Sequence, residues 1–343
     1  MINKEFGSDF HYINEPDYKT EKHSGILEMI NYLCFSGRSA LYSILDNGIK
    51  KYTWKKIYVP SYYCHEVYDF IEKLDIVIEY YQIDPLTGSF EDIIEDQNNY
   101  VLLIVNFFGI NTIRFDHYKN IITIEDLTHD LSKIEASQAD YAFGSLRKIL
   151  PIPVGGFIKT NEILRLQPSN FETENITFNK LLGMGLKTKY LEGSFQDKDY
   201  FRNLLINSEQ QLEVERTVTA LPQISKNILY ELDIVKLIDQ KKNNLSTIKS
   251  YLSSTNLFET IGLQTDFDYA LVLKFKKQEK RDQLRNHLIS NKIYPMVLWP
   301  NQKVEQDIQL ENILLFIHVD FRYTTEDMMY ISTIINQFTQ DNV

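Results

Sequence analysis

The sequence predicts an α/β fold with a mostly parallel sheet, followed by a smaller α+β unit. Three observations predict it. Between residues 57 and 160, short apolar runs rich in β-branched and aromatic side chains recur at close intervals. Amphipathic helical patterns separate them. Beyond about residue 226, helices and isolated strands mix without that regular alternation. Continuous apolar strands belong to a sheet covered on both faces. Strand–helix alternation belongs to parallel topology.

Each element follows from its own pattern. Residues 1–24 form an N-terminal segment, and the first residues are expected to lie against the C-terminal unit. Ser39 to Ile49 places Ala40, Leu41, Ile44, Leu45 and Ile49 on one helical side. Ile57 to Tyr63 is short and β-rich. Glu66 to Leu74 returns to helical spacing through Val67, Phe70, Ile71 and Leu74. Strands are expected over Ile76–Ile83, Tyr100–Phe108 and Ile121–Glu125, then over the pair Tyr141–Leu146 and Gly156–Lys159. The stretch 161–225 is polar, mixed and helical. A long helix starts near 226, with Ile228, Leu229, Leu232, Val235, Leu237 and Ile238 along it. Strands at Tyr269–Phe275, Tyr294–Leu298 and Ile313–Val319 flank a helix at Gln278–Ser290. Thr325 to Phe338 closes the chain as a helix, with Thr324 or Thr325 as cap before Glu326 and Asp327. The domains expected are therefore 25–225 and 226–343.

Composition narrows the function. The 343 residues carry 36 basic and 47 acidic side chains, a formal charge of −11. That argues against nucleic acid or an anionic membrane as the main partner. Cys34 and Cys64 are the only cysteines, too few for a disulfide framework or a cysteine zinc site. The histidines lack metal-ligand spacing, so no metal is expected. No apolar run approaches about 18 residues, and the start lacks the pattern of a secretory leader. A cytoplasmic protein is the expectation.

Three segments carry chemistry. Ser36-Gly37-Arg38-Ser39-Ala40 opens an amphipathic helix, where backbone N–H groups and the helix dipole favour a phosphate. Taken alone, it reads as a plain N-cap with a turn glycine. Glu125-Asp126 ends a buried strand, at the edge where α/β folds place ligands, with His129 three residues on. An aspartate there pairs with a cationic ring nitrogen, or it simply caps the next helix. Ser145-Leu-Arg147-Lys148 follows the next strand and precedes Gly155-Gly156. A lysine is a nucleophile when desolvated or placed beside another cation, here Arg147. An Arg-Lys pair is otherwise an ordinary surface loop feature. In the second unit, Asp320-Phe-Arg322 and Trp299-Pro300 stand out. Arg322 could clamp a carboxylate bidentately, but it reads first as a cap-region arginine before the last helix.

Together, a phosphate cradle, a pyridinium partner and a Schiff-base lysine are the parts of a pyridoxal 5′-phosphate (PLP) site, in chain order. The chain resembles PLP-dependent enzymes of fold type I, and more narrowly the DegT/DnrJ-type sugar aminotransferases, as a short and divergent member. The matching residues are Ser36 to Leu41, Val59 to Cys64, Phe107-Phe108-Gly109, Ile124-Glu125-Asp126 with His129, Ser145 with Lys148, and Gly155-Gly156. Two residues separate Ser145 from Lys148 where the family has four. Val154 stands where it has an acidic residue, and its Asn-Tyr-Arg segment is missing.

The resemblance implies a large domain with a seven-stranded, mostly parallel sheet and a homodimer with active sites at the subunit interface. It implies a Schiff base at Lys148 and Asp126 on the pyridine nitrogen, these two being catalytic. It also implies cofactor contacts from Gly37, Arg38, Ser39, Ala40, Tyr63, His129 and Ser145. The activity implied is transfer of an amino group, from glutamate, to a keto sugar linked to a nucleotide, in surface polysaccharide or related biosynthesis. A PLP lyase or racemase acting on an amino acid would share Lys148 and Asp126. A non-catalytic relative would keep the fold alone.

Overall fold

The computed structural model describes residues 4–13, 18–20, 24–90, 93–110, 115, 117–214, 218–262 and 269–342. In chain order the elements are β1 (Phe6–Gly7), α1 (Gly25–Glu28), β2 (Tyr32–Cys34), α2 (Gly37–Tyr52), β3 (Lys56–Pro60), α3 (His65–Ile71), β4 (Val77–Tyr81) and β5 (Tyr100–Val105). Then come β6 (Ile122–Asp126), β7 (Tyr141–Ser145), β8 (Gly156–Lys159), α4 (Phe171–Glu192), α5 (Lys198–Val214), α6 (Gln223–Glu231) and α7 (Ile234–Tyr251). The chain ends with β9 (Phe258–Ile261), β10 (Leu271–Phe275), α8 (Gln278–Ser290), β11 (Ile293–Tyr294), α9 (Glu305–Ile313), β12 (Leu314–Ile317) and α10 (Thr325–Asp341).

A seven-stranded sheet runs β2-β8-β7-β6-β5-β3-β4. Strands β4, β3, β5, β6 and β7 pair in parallel, and β8 alone runs against its neighbours β7 and β2. Val101 to Val105 of β5 lie opposite Ile122 to Asp126 of β6 and are buried throughout, as their apolar run requires. Parallel register carries the carboxyl ends of β5, β6 and β7 to one edge. Asp126 lies beside Val105 and Phe143 there, the edge where such sheets open a ligand crevice.

Helix α2 packs on β7 and β8 through Ala40, Leu41, Ile44 and Leu45, all fully buried. Its start is fixed by a reciprocal capping box. Ser39 N–H donates to Ser36 Oγ (3.1 Å), and Ser36 N–H donates to Ser39 Oγ (2.8 Å).

A second unit has a three-stranded antiparallel sheet, β12-β10-β9. Its core joins Leu245 and Ile248 of α7, Leu284 and Leu288 of α8, and Met328, Ile331 and Ile335 of α10 to the sheet. The long helix expected from about 226 is instead two, α6 and α7. Asp233 starts the second by accepting from Lys236 N–H (3.1 Å).

The first residues lie against this unit. β1 pairs in parallel with β11, Phe6 opposite Ile293. Gly7 sits at φ +93°, and a Cβ there would meet the Tyr294 carbonyl oxygen at 2.3 Å, so only glycine fits. Arg322 then holds Ser8 and Asp9 by their carbonyls (3.2 and 3.0 Å). Among the described residues, no helix is long and apolar enough to cross a membrane.

Candidate active site

At the carboxyl edge of the large sheet lies a cavity of about 360 Å³. Ser36, Gly37 and Arg38 at the head of α2 form one wall. Asp126 and Thr128 come from the end of β6, Ser145, Arg147 and Lys148 from the end of β7, and Tyr63 and Cys64 from the loop after β3. Three chain segments, far apart in sequence, thus meet because their strands share one register edge.

Asp126 is 4% exposed. Its Oδ1 accepts from Thr128 N–H (2.8 Å), and its Oδ2 accepts from the Tyr63 hydroxyl. Burial raises its pKa, against the pull of these donors and of the Lys148 charge. Lys148 stands in a short 3₁₀ turn directly after β7. Burial lowers its pKa, with Arg147 and Arg38 acting in the same direction. It makes no hydrogen bond or ion pair among the described residues. A desolvated amine beside two guanidinium groups, with no partner of its own, is a poised nucleophile.

Arg38 is likewise pushed down, by burial and then by Arg147. The N–H groups of α2's first turn and the Arg38 guanidinium make this wall the one suited to an anion. The wall is tight by construction, since a Cβ on Gly156 would meet the Ser36 carbonyl oxygen at 2.3 Å. β8 can therefore lie against the start of α2 only with glycine at that position.

The remaining sequence-predicted residues fall around this cavity. Ser39 and Ala40 are buried in the first turn of α2, behind the wall, with Ser39 engaged in the capping box. His129 is 3% exposed and lies outside the cavity lining. Its Nδ1 accepts from Phe108 N–H (3.0 Å), which leaves the proton on Nε2, and burial holds the ring neutral. It stacks on Trp299 at 5.2 Å and 16°.

Trp299 reaches the cavity from the second unit. Gln302 ties that approach down, donating to the Tyr63 carbonyl (2.8 Å) and the Trp299 carbonyl (3.1 Å). Arg322 points elsewhere. Its Nε and Nη2 grip Asp320 bidentately at 2.7 and 2.8 Å, and Asp320 is held far below the usual carboxylate range despite its burial.

Residues that the sequence did not flag also line the site. Glu209, Leu212 and Glu213 arrive from α5, and Asp9 from the N-terminal segment. Arg147 donates to Glu209 (2.9 Å), and Lys180 of α4 pairs with the same carboxylate oxygen. Two long polar helices gave no sign of which few side chains turn inward.

No protein-family model matches the chain, and no curated protein matches it in sequence. Solved structures do. Spr1654 of Streptococcus pneumoniae, in its PLP form, superposes with a TM-score of 0.63 at 11% identity, over 99% of this chain and 100% of that one. PseC of Helicobacter pylori, an aminotransferase involved in the biosynthesis of pseudoaminic acid, gives 0.62 at 11% identity, over 98% and 100%. The sugar aminotransferase CalS13 of Micromonospora echinospora gives 0.57 at 12% identity, over 89% and 86%. Over nearly its whole length, the chain therefore has the fold of these aminotransferases, fold type I of the PLP-dependent transferases.

Proposed function

We propose that this protein is a PLP-dependent aminotransferase that moves an amino group from glutamate to a keto sugar carried on a nucleotide. One observation carries the reading. A desolvated Lys148 amine, without a partner among the described residues, shares a cavity with the buried Asp126 carboxylate, beside a helix N-terminus and Arg38. The residues present fit PLP. Arg38, the α2 N-terminus and the Ser145 hydroxyl would hold the phosphate, Asp126 the ring nitrogen, and Lys148 the aldehyde carbon. The shared fold supports this reading, as does Spr1654, solved in a PLP form.

Bound PLP supplies an aldehyde that exchanges amines and a ring that accepts electrons. The chain supplies the rest. Asp126, whose anionic form Thr128 and Tyr63 favour against its burial, would hold the proton on the ring nitrogen. Once the donor's amine displaces Lys148, its free amine would move the proton at the donor's α-carbon, as a lowered lysine pKa allows. No step needs a metal. In this reading the enzyme works in the cytoplasm as a homodimer, and neither nucleic acid nor membrane takes part.

A lyase or racemase reading would want an arginine clamp for an amino-acid carboxylate. Arg322, the arginine placed for it in the second unit, is instead held by Asp320. The test is a visible spectrum of the protein mixed with PLP. Wild type should show the band of lysine-bound PLP, and Lys148→Ala should not. Glutamate should bleach the band, and a nucleotide-linked keto sugar should restore it. No band in wild type would sink the reading. A band that glutamate leaves untouched would overturn the choice of donor.

A further inference from the structure

A second cavity, also of about 360 Å³, opens on the other side of Lys148. Arg147 and Lys148 line both cavities. The second is otherwise walled by α4, by the N-terminal segment and by the second unit, through Lys180, Met184, Asp9 and His318 among others. Its charge is lopsided. Arg322 is consumed by Asp320. Arg147, Lys148 and Lys180 also line it, with Asp9 as the other carboxylate on the wall, in a protein whose net charge is −11.

Lys180 is 5% exposed, which is costly for an ammonium unless anions surround it. Its direct ion-pair partner is Glu209, shared with Arg147, and the Asp9 charge acts on both. An ammonium carries three N–H donors and a guanidinium five. Two of these eight, one from each side chain, reach the same Glu209 carboxylate oxygen, and among the described residues Arg147 Nε is buried without a partner. Donors left over on a buried lysine and a half-buried arginine, both lining a small cavity beside the Lys148 amine, suit a carboxylate. The cavity is at the small end of those that hold ligands. A short-chain acid fits it.

We infer that Lys180 and Arg147 bind the carboxylate of a small dicarboxylic amino donor in this second cavity, doing the work that Arg322 is not free to do. The inference rests on the aminotransferase reading and names its donor subsite. Lys180 is a specificity residue here. Its carboxylate contact holds the donor beside Lys148.

Calorimetry with glutarate, a dicarboxylate that lacks an amino group, tests it on the full chain with and without PLP. Wild type should bind glutarate. Lys180→Met should weaken binding about tenfold, the worth of a charge-assisted hydrogen bond. Glu209→Gln removes the internal competitor and should tighten binding, whereas a network that only props up the fold would give weaker binding or none. In turnover, Lys180→Met should raise KM for glutamate, keep kcat within about twofold, and keep the band of lysine-bound PLP. Equal glutarate affinity in wild type and Lys180→Met, or weaker binding in Glu209→Gln, overturns the inference. Absence of the PLP band in wild type overturns the aminotransferase reading instead, and the glutarate titration still reads the cavity.

Discussion

Asp126 is bonded twice before any ligand arrives, by Thr128 N–H and by the Tyr63 hydroxyl. Both donors favour the anion, while burial favours the acid. A cationic ring nitrogen would tip that balance toward the anion. Asp126→Asn keeps the shape and both neighbours but removes the charge. Single-turnover kinetics with glutamate should show the donor step slowed about 10²- to 10³-fold, with PLP still held on Lys148. An unchanged rate would remove Asp126 from its proposed role. Lys148 and Asp126 were legible in the sequence because each follows a strong strand pattern directly, and the parallel fold decides where strand ends go. Lys180 and Glu209 were not. Each is one polar residue on a long polar helix, and they matter only because α4 and α5 lie side by side.

The first turn of α2 is the element on which the cavity depends. Its capping box and its closeness to β8 set the anion wall, and both were partly readable as Ser36-Gly37 and Gly155-Gly156. Gly156→Ala places a methyl against the Ser36 backbone, which cannot step aside as a side chain can. We expect a loss of stability above about 2 kcal/mol by denaturant unfolding, together with weaker PLP binding. Weaker PLP binding with unchanged stability would mean that the contact is not structural. The break between α6 and α7 was written in Asp233, a good N-cap. A continuous apolar period on both sides hid it, because Leu229, Leu232, Leu237 and Ile238 serve the same core. The 161–225 region was expected to be helical, and α4 and α5 occupy most of it.

Across the whole molecule, the alternation of strands and helices announced the large sheet, including its mostly parallel sense. The first residues were expected to lie against the second unit, as β1 does on β11; what could not be read was the register of that pairing, Phe6 opposite Ile293. Charge balance also acts at this scale. His11 is buried beside Arg322 and Lys187, and its pKa is lowered to about 3, mainly by burial. Its ordinary value is 6.5, so the unfolded chain takes up this proton first as the solution is acidified. The stability tied to neutral His11 is complete above pH 6.5 and is lost as pH falls toward 3. The raised carboxyls of Glu125 and Asp126 act in the opposite direction, so the comparison must be with a variant. His11→Asn should flatten the fall in unfolding free energy, by about 3 kcal/mol at pH 4.5. Parallel curves for the two proteins in urea titrations would refute this.

The pairing of Phe6 with Ile293, and of the Gly7 amide with the Tyr323 hydroxyl, has a consequence for biosynthesis. The large sheet is complete once residue 159 has left the ribosome, so that half of the molecule can fold while translation continues. β1 cannot. The first strand to be made waits unpaired for one of the last, and the segment carrying Asp9 to the cavity edge waits with it. The sheet-edge part of the reactive pocket can thus form early, but its α5 wall, Trp299 and the side carrying Asp9 are added only as synthesis proceeds.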